Sequence, residues 1–332
     1  MENHLPKFEC PNAAALALFT ALAACTVPVE DTTPTDAVGS VEQKIEGGTI
    51  ATAPFFQRAA IFFGSKHTCS ATKIAPSFVL TAAHCLPAKG DKVAFYPDSA
   101  VPDLEHMREV ASAFIRPGVA PVDGEWAGLY DSNGHFADIA VLELKTPDTG
   151  SPRATLQWEY PGWNFWGTRV GSGEHNGLPN PSHQLDMIKD TTYSDSDSDG
   201  HFLTSTHVGD SGDSGGPFYH DWRLTGVHAG GAFDWGSRDS LTSVHFHLDW
   251  ILAKIGWTWP GQLVQKDVMF TGNAPLSMGI SGESHKICQY ACERTTACVG
   301  YTFVPSASYC EMFDSVTGTM STSGNFASSA LK

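Results

Sequence analysis

Gly209-Asp210-Ser211-Gly212-Asp213-Ser214-Gly215-Gly216-Pro217 is the stretch from which the fold of this chain is read. A serine set among glycines is open to approach, because no Cβ blocks the path to its hydroxyl. Glycine also adopts backbone conformations that aim N–H groups at a single point, the arrangement that binds an oxyanion. Ser211 and Ser214 both follow an aspartate and precede a glycine, but only Ser214 is followed by Gly-Gly-Pro. Alone, Gly-Asp-Ser-Gly also fits a surface turn. The reading therefore depends on what else the chain carries.

Two more motifs lie upstream, Phe78-Val79-Leu80-Thr81-Ala82-Ala83-His84-Cys85 and Ala137-Asp138-Ile139-Ala140-Val141-Leu142-Glu143-Leu144. Taken singly, His84 reads as a core histidine and Asp138 as a strand-edge residue. Together, in the order His, Asp, Ser, the three motifs resemble the chymotrypsin and trypsin family of serine proteases. The resemblance implies a triad. His84 is the base, Asp138 fixes its tautomer and stabilises the imidazolium, and Ser214 attacks the substrate carbonyl. The N–H groups of Gly212 and Ser214 then hold the oxyanion.

That family matures by a cut before a segment like Ile-Val-Gly-Gly. Lys44 here precedes Ile45-Glu46-Gly47-Gly48, with Glu in place of Val. The resemblance implies that the new Ile45 ammonium enters the interior and pairs with Asp213, beside the nucleophile. Neither charge is stable there without the other.

The 332 residues, 42% of them hydrophobic, suffice for two domains with cores. With 17% charged residues, 32 glycines and 20 prolines, the composition favours β-rich, loop-rich architecture over helical bundles. A formal net charge of −16 argues against nucleic acid or an anionic membrane surface as a partner. The apolar run Ala13–Ala24 has the length of a signal-peptide core. It ends in Leu22-Ala23-Ala24-Cys25, which resembles a bacterial lipobox with Cys25 as the lipidated residue; cleavage near Ala21-Leu22-Ala23 by an ordinary signal peptidase is the competing reading. Loss of Cys10 with the signal and lipidation of Cys25 leave six of the eight cysteines, an even set that suits an exported disulfide protein. Membrane association is expected only through that anchor, and a cut after Lys44 would separate the enzyme from it.

The expected organisation is a signal segment 1–25, a Thr-, Pro- and acid-rich tether 26–44, a protease region 45–257 and a C-terminal region 258–332. By resemblance the fold class is mainly β, with two six-stranded antiparallel barrels and the site in the cleft between them. Cys69 and Cys85 match the disulfide that brackets the histidine in that family. Leu248, Ile251, Leu252 and Ile255 follow the spacing of an amphipathic helix, matching the one that closes the family's domain. In the tail, Cys288 and Cys292 share a helical face, and Cys298–Phe303 and Cys310–Phe313 read as strands. This resembles a small, disulfide-pinned α+β module of the PAN/apple type. The resemblance pairs Cys288 with Cys310 and Cys292 with Cys298, although four cysteines allow three connectivities and a zinc site is the rival reading. Apple modules bind proteins or carbohydrates, so such a ligand is an expected partner beside peptide substrates and an activating protease.

Asp195-Ser196-Asp197-Ser198-Asp199-Gly200 carries part of a calcium-loop pattern, but its twelfth position is Thr206 where a bidentate Glu is needed; a solvated acidic loop is the reading adopted. No metal or cofactor is expected. Trypsin-like members carry an aspartate six residues before the nucleophile, and here that residue is Val208. Counting back from Trp250 places Asp239 at the pocket floor instead, where a carboxylate attracts Lys or Arg side chains unless Arg238 neutralises it. An apolar pocket is the alternative. Ala229-Gly230-Gly231 stands where the family has Ser-Trp-Gly, so Asp138 lacks a serine partner and Gly230 and Gly231 leave an open substrate-binding strand. The second functional reading is a catalytically weak binding protein that displays its tail.

Overall fold

Short strands rich in Ala, Val, Ile and Phe follow β1 (Thr49–Ile50) and a one-turn helix α1 (Phe55–Arg58). They are β2 (Ala59–Phe63), β3 (Thr68–Ala75), β4 (Phe78–Thr81), β5 (Lys92–Phe95), β6 (Arg108–Ile115) and β7 (Ala140–Leu144). In the computed structural model they close into an antiparallel barrel in the order β2-β3-β4-β7-β6-β5. Its strands bury Ile61, Leu80, Val93, Val110 and Val141 completely. Each such side chain contributes about 1.5–3 kcal/mol of transfer free energy, so the barrel is a packed core and not a pore.

After β8 (Thr155–Leu156), a second set follows: β9 (Asn164–Gly171), β10 (Asp186–Ser196), β11 (His201–Thr204), β12 (Pro217–His220), β13 (Arg223–Gly231) and β14 (Asp239–Ser243). The order β9-β10-β11-β14-β13-β12, closed by pairing of β12 with β9, repeats the order of the first barrel. The described residues are 45, 48–120, 129–174, 179–196, 199–231, 238–279, 285–323 and 327–332. Cys25, the tether and Lys44 lie outside them, as do Asp197 and Ser198 of the acidic loop.

Helix α2 (Leu248–Lys254) buries Leu248, Ile251 and Leu252, the face that the apolar spacing predicts. The tail then forms β15 (Gln265–Lys266), β16 (Val268–Asn273), β17 (Leu276–Gly279), helix α3 (Lys286–Arg294), β18 (Gly300–Val304), β19 (Tyr309–Phe313), β20 (Ser315–Ser321) and β21 (Ser328–Leu331). Five of these strands make one sheet in the order β15-β21-β18-β19-β17, and β16 pairs with β20. Disulfides Cys288–Cys310 and Cys292–Cys298 pin α3 to β19 and to the loop before β18.

The tail is not an independent lobe. Tyr290 on α3 is buried, its hydroxyl accepts the Leu156 N–H at 3.0 Å, and its ring meets Trp158 and Trp257 at 6.1 and 5.6 Å. Cys288, Tyr290, Tyr301 and Met312 belong to the same apolar cluster as the barrel residues. Tyr290→Ala is expected to cost about 3 kcal/mol by leaving a cavity at this junction. A single, lowered thermal transition would report it, and two separate transitions would contradict the shared core.

Candidate active site

The histidine sits where β4 ends. Ala83–Cys85 forms a single tight turn, closed by Leu86 in the left-handed region (φ 51°), and the Cys69–Cys85 disulfide ties that turn to β3. Asp138 lies just before β7, which pairs with β4 in register Thr81↔Ala140, so the two loops emerge side by side. The Asp138 carboxylate is fully buried. One oxygen accepts the His84 backbone N–H at 2.9 Å and the other lies 2.6 Å from His84 Nδ1. This arrangement holds the proton on Nδ1 and leaves Nε2 as the basic nitrogen. Burial pulls the His84 pKa down, but the charge and hydrogen bond of Asp138 outweigh it, and the net shift is upward from 6.5. A general base acts when neutral. The acid limb of kcat/KM against pH is therefore expected to have its midpoint above 6.5, and a midpoint below it would contradict this pairing.

The nucleophile loop joins β11 to β12 of the second barrel. Gly212 (φ 95°) and Gly215 (φ 81°) lie in backbone conformations that favour glycine. A Cβ on Gly215 would collide with Thr81 Oγ1 and the Ser70 carbonyl, so the loop rests directly on the strand that leads to His84. Ser214, the preceding residue, is half-buried there, whereas Ser211 is exposed. Ser70, buried on β3, donates to the Gly212 carbonyl from its N–H and from its hydroxyl, both at 2.9 Å. That grip turns the Gly212 carbonyl inward. Among the described residues no protein group accepts from the N–H of Gly212 or Ser214, so both are available to an oxyanion.

Ala229 is buried against Leu129 and Phe136 and has no side-chain donor to give Asp138. Asp138 is instead anchored through its carbonyl, which accepts the Thr242 hydroxyl at 2.9 Å. Asp213 is buried next to Ser214 and accepts the N–H groups of Gly173 (2.8 Å) and Asp210 (3.0 Å). Burial pushes its pKa up to about 6, against the opposing pull of those N–H groups and of His228 and Arg169. Ile45 is 2% exposed and lines the same small cavity as Asp213, Arg169 and His228.

The sequence-derived pocket residues also converge. Val208 and Gly209 donate their N–H groups to Asp239 Oδ2, each at 3.0 Å, and Asp239 lies opposite Gly231 in the β13–β14 register, next to the Gly230–Ser240 pair. Asp239 is fully buried and takes the Arg169 guanidinium at 2.6 Å and His207 Nδ1 at 2.5 Å. Burial raises its pKa, but the neighbouring His228, the Arg169 charge and the Val208 N–H outweigh that and hold it well below the usual carboxylate range. The buried counter-ion of Asp239 is thus Arg169 on β9, a residue to which the sequence around Arg238 gives no pointer. Ser70, Thr242, Arg169 and His228 had no motif to mark them. No cluster of three or more metal-ligating side chains occurs among the described residues.

The family model described as Trypsin matches residues 45–251. Brachyurin of Leptuca pugilator is 27% identical over 221 residues, covering 60% of this chain and 93% of the relative. The solved structure of GrC, at 18% identity, superposes with a TM-score of 0.51 over 63% of this chain and 99% of its own, which supports the fold alone. With the family match spanning more than half of its length, the chain belongs to the trypsin family and is a serine endopeptidase.

Proposed function

We propose that the chain is an exported serine endopeptidase that is made as a precursor and cleaves peptide bonds through an acyl-enzyme on Ser214. The observation that carries the reading is the His84–Asp138 pair at 2.6 Å beside a loop that frees two N–H groups. His84 Nε2 takes the Ser214 proton as Oγ attacks the carbonyl. The Gly212 and Ser214 N–H groups stabilise the oxyanion, and the same nitrogen then delivers the proton to the leaving amine. Water repeats the sequence to release the acid.

Activation is a cut after Lys44. The reading is supported by the burial of Ile45 in the cavity that Asp213 lines, because a new ammonium there gives that strained carboxylate its counter-charge. Cys25, if lipidated, holds the precursor at the envelope until the cut releases the enzyme. The C-terminal region, read as a PAN/apple-type module, directs the enzyme to a protein or carbohydrate. The test is hydrolysis of an unstructured protein such as casein before and after limited trypsin digestion, with N-terminal sequencing. Activity should appear together with a new Ile45 terminus and be lost in Lys44→Gln. Full activity in the Lys44→Gln protein would refute activation at this site.

A further inference from the structure

The buried charges beneath the nucleophile loop decide what this site accepts, given that it is the peptidase site proposed above. Two segments meet at Asp239. One is the segment Val208–Gly209, whose N–H groups both bind Asp239 Oδ2, and the other is Gly230–Gly231, the β13 edge opposite Ser240 and Asp239. A free carboxylate at that floor would select substrate guanidinium or ammonium groups. This one is not free. Oδ2 accepts Arg169, Val208 and Gly209, while Oδ1 meets His207 Nδ1 at 2.5 Å with His228 Nε2 3.9 Å away, so both oxygens are engaged within the protein.

The cation is held as firmly as the anion. Arg169 is 3% exposed. Gly209 makes room for it, since a Cβ there would collide with the His228 ring and crowd the Arg169 guanidinium. Behind the pair, Asp190 on β10 lies 3.5 Å from the guanidinium, with its oxygens taken by the Ser205 and Thr206 hydroxyls and the Thr191 N–H. A basic substrate side chain entering here meets a spent carboxylate with a fixed positive charge behind it.

We propose that Arg169 is a specificity-determining residue: by claiming Asp239 it leaves no unpaired carboxylate at the pocket floor, so the enzyme cleaves after uncharged apolar side chains rather than after Lys or Arg. An arriving arginine has no unpaired charge to satisfy and loses its own hydration. Removal of the guanidinium leaves a buried carboxylate whose best remaining partner is a cation brought by the substrate.

The experiment profiles the full, activated chain on fluorogenic peptides that differ only at the residue before the scissile bond, with benzamidine as a probe for an unpaired floor carboxylate. The wild-type protein should favour Phe, Leu or Met over Arg by at least about 100-fold and resist benzamidine. Arg169→Leu should raise kcat/KM for the Arg peptide by about 100-fold and become sensitive to benzamidine. Should Arg169→Leu not fold, Asp239→Asn serves as the second variant and is expected to keep or sharpen the bias against Arg. A wild-type protein that prefers Arg, with the preference lost in Asp239→Asn, overturns the inference while leaving the peptidase reading intact. Absence of fluorophosphonate labelling of Ser214 in the activated wild-type chain removes the peptidase reading, and this one with it.

Discussion

Ser214→Ala is expected to lower kcat for peptide hydrolysis by about a million-fold, the loss typical of a triad nucleophile. No neighbouring group replaces it. Ser211 is exposed, and its carbonyl is engaged by the Glu174 N–H at 2.7 Å. The residual rate of the variant should still exceed that in water by about 10³–10⁴, because the oxyanion N–H groups and the substrate contacts persist. Ser211→Ala is the matched control and should lose far less. A comparable loss in both variants would show that the loop, and not the Ser214 hydroxyl, had been disrupted.

Asp138→Asn carries the second large effect, a loss of about 10⁴ in kcat. An amide at this position can offer its NH2 to His84 Nδ1, which moves the ring proton to Nε2 and removes the base from the face of Ser214. The charge is lost as well. Asp138 is what raises the His84 pKa against the effect of burial, so the acid limb of the pH profile should shift downward in the variant. The fold should survive, because the amide oxygen of the variant still accepts the His84 backbone N–H and the Thr242 anchor acts on the main chain. A loss of activity with an unshifted acid limb would argue that Asp138 only positions the ring.

The loops of the candidate site could be picked out in the sequence because each is short and contiguous. His84, Asp138 and Ser214 sit in local motifs whose glycines and small residues answer to nearby backbone geometry, as the collision awaiting a Cβ at Gly215 shows. Helix α2 was legible for the same local reason, a run of apolar residues at helical spacing over Leu248–Lys254. The two-barrel architecture was not readable from periodicity and came from the family resemblance, and the strand order within each barrel was not read at all.

What escaped was made by distance along the chain. Arg169 lies in an ordinary strand, and its partner Asp239 is 70 residues away. Ser70 meets Gly212 142 residues downstream, and Tyr290 meets Leu156 across 134. No local pattern encodes such pairs, since each is fixed only when both barrels and the tail have closed. The sequence reading of the tail as a small disulfide-pinned module carried no hint that its helix also packs against the core behind β8.

The most direct measurement is the intact mass of the protein after reaction with a fluorophosphonate, before and after a cut between Lys44 and Ile45. Phosphonylation requires a serine activated by a neighbouring base and an oxyanion site, and it needs no knowledge of the natural substrate. One adduct per chain, mapped to Ser214, present only after the cut and absent in His84→Ala, is the expected result. A cut protein with a confirmed Ile45 terminus and no adduct at Ser214 would contradict the account.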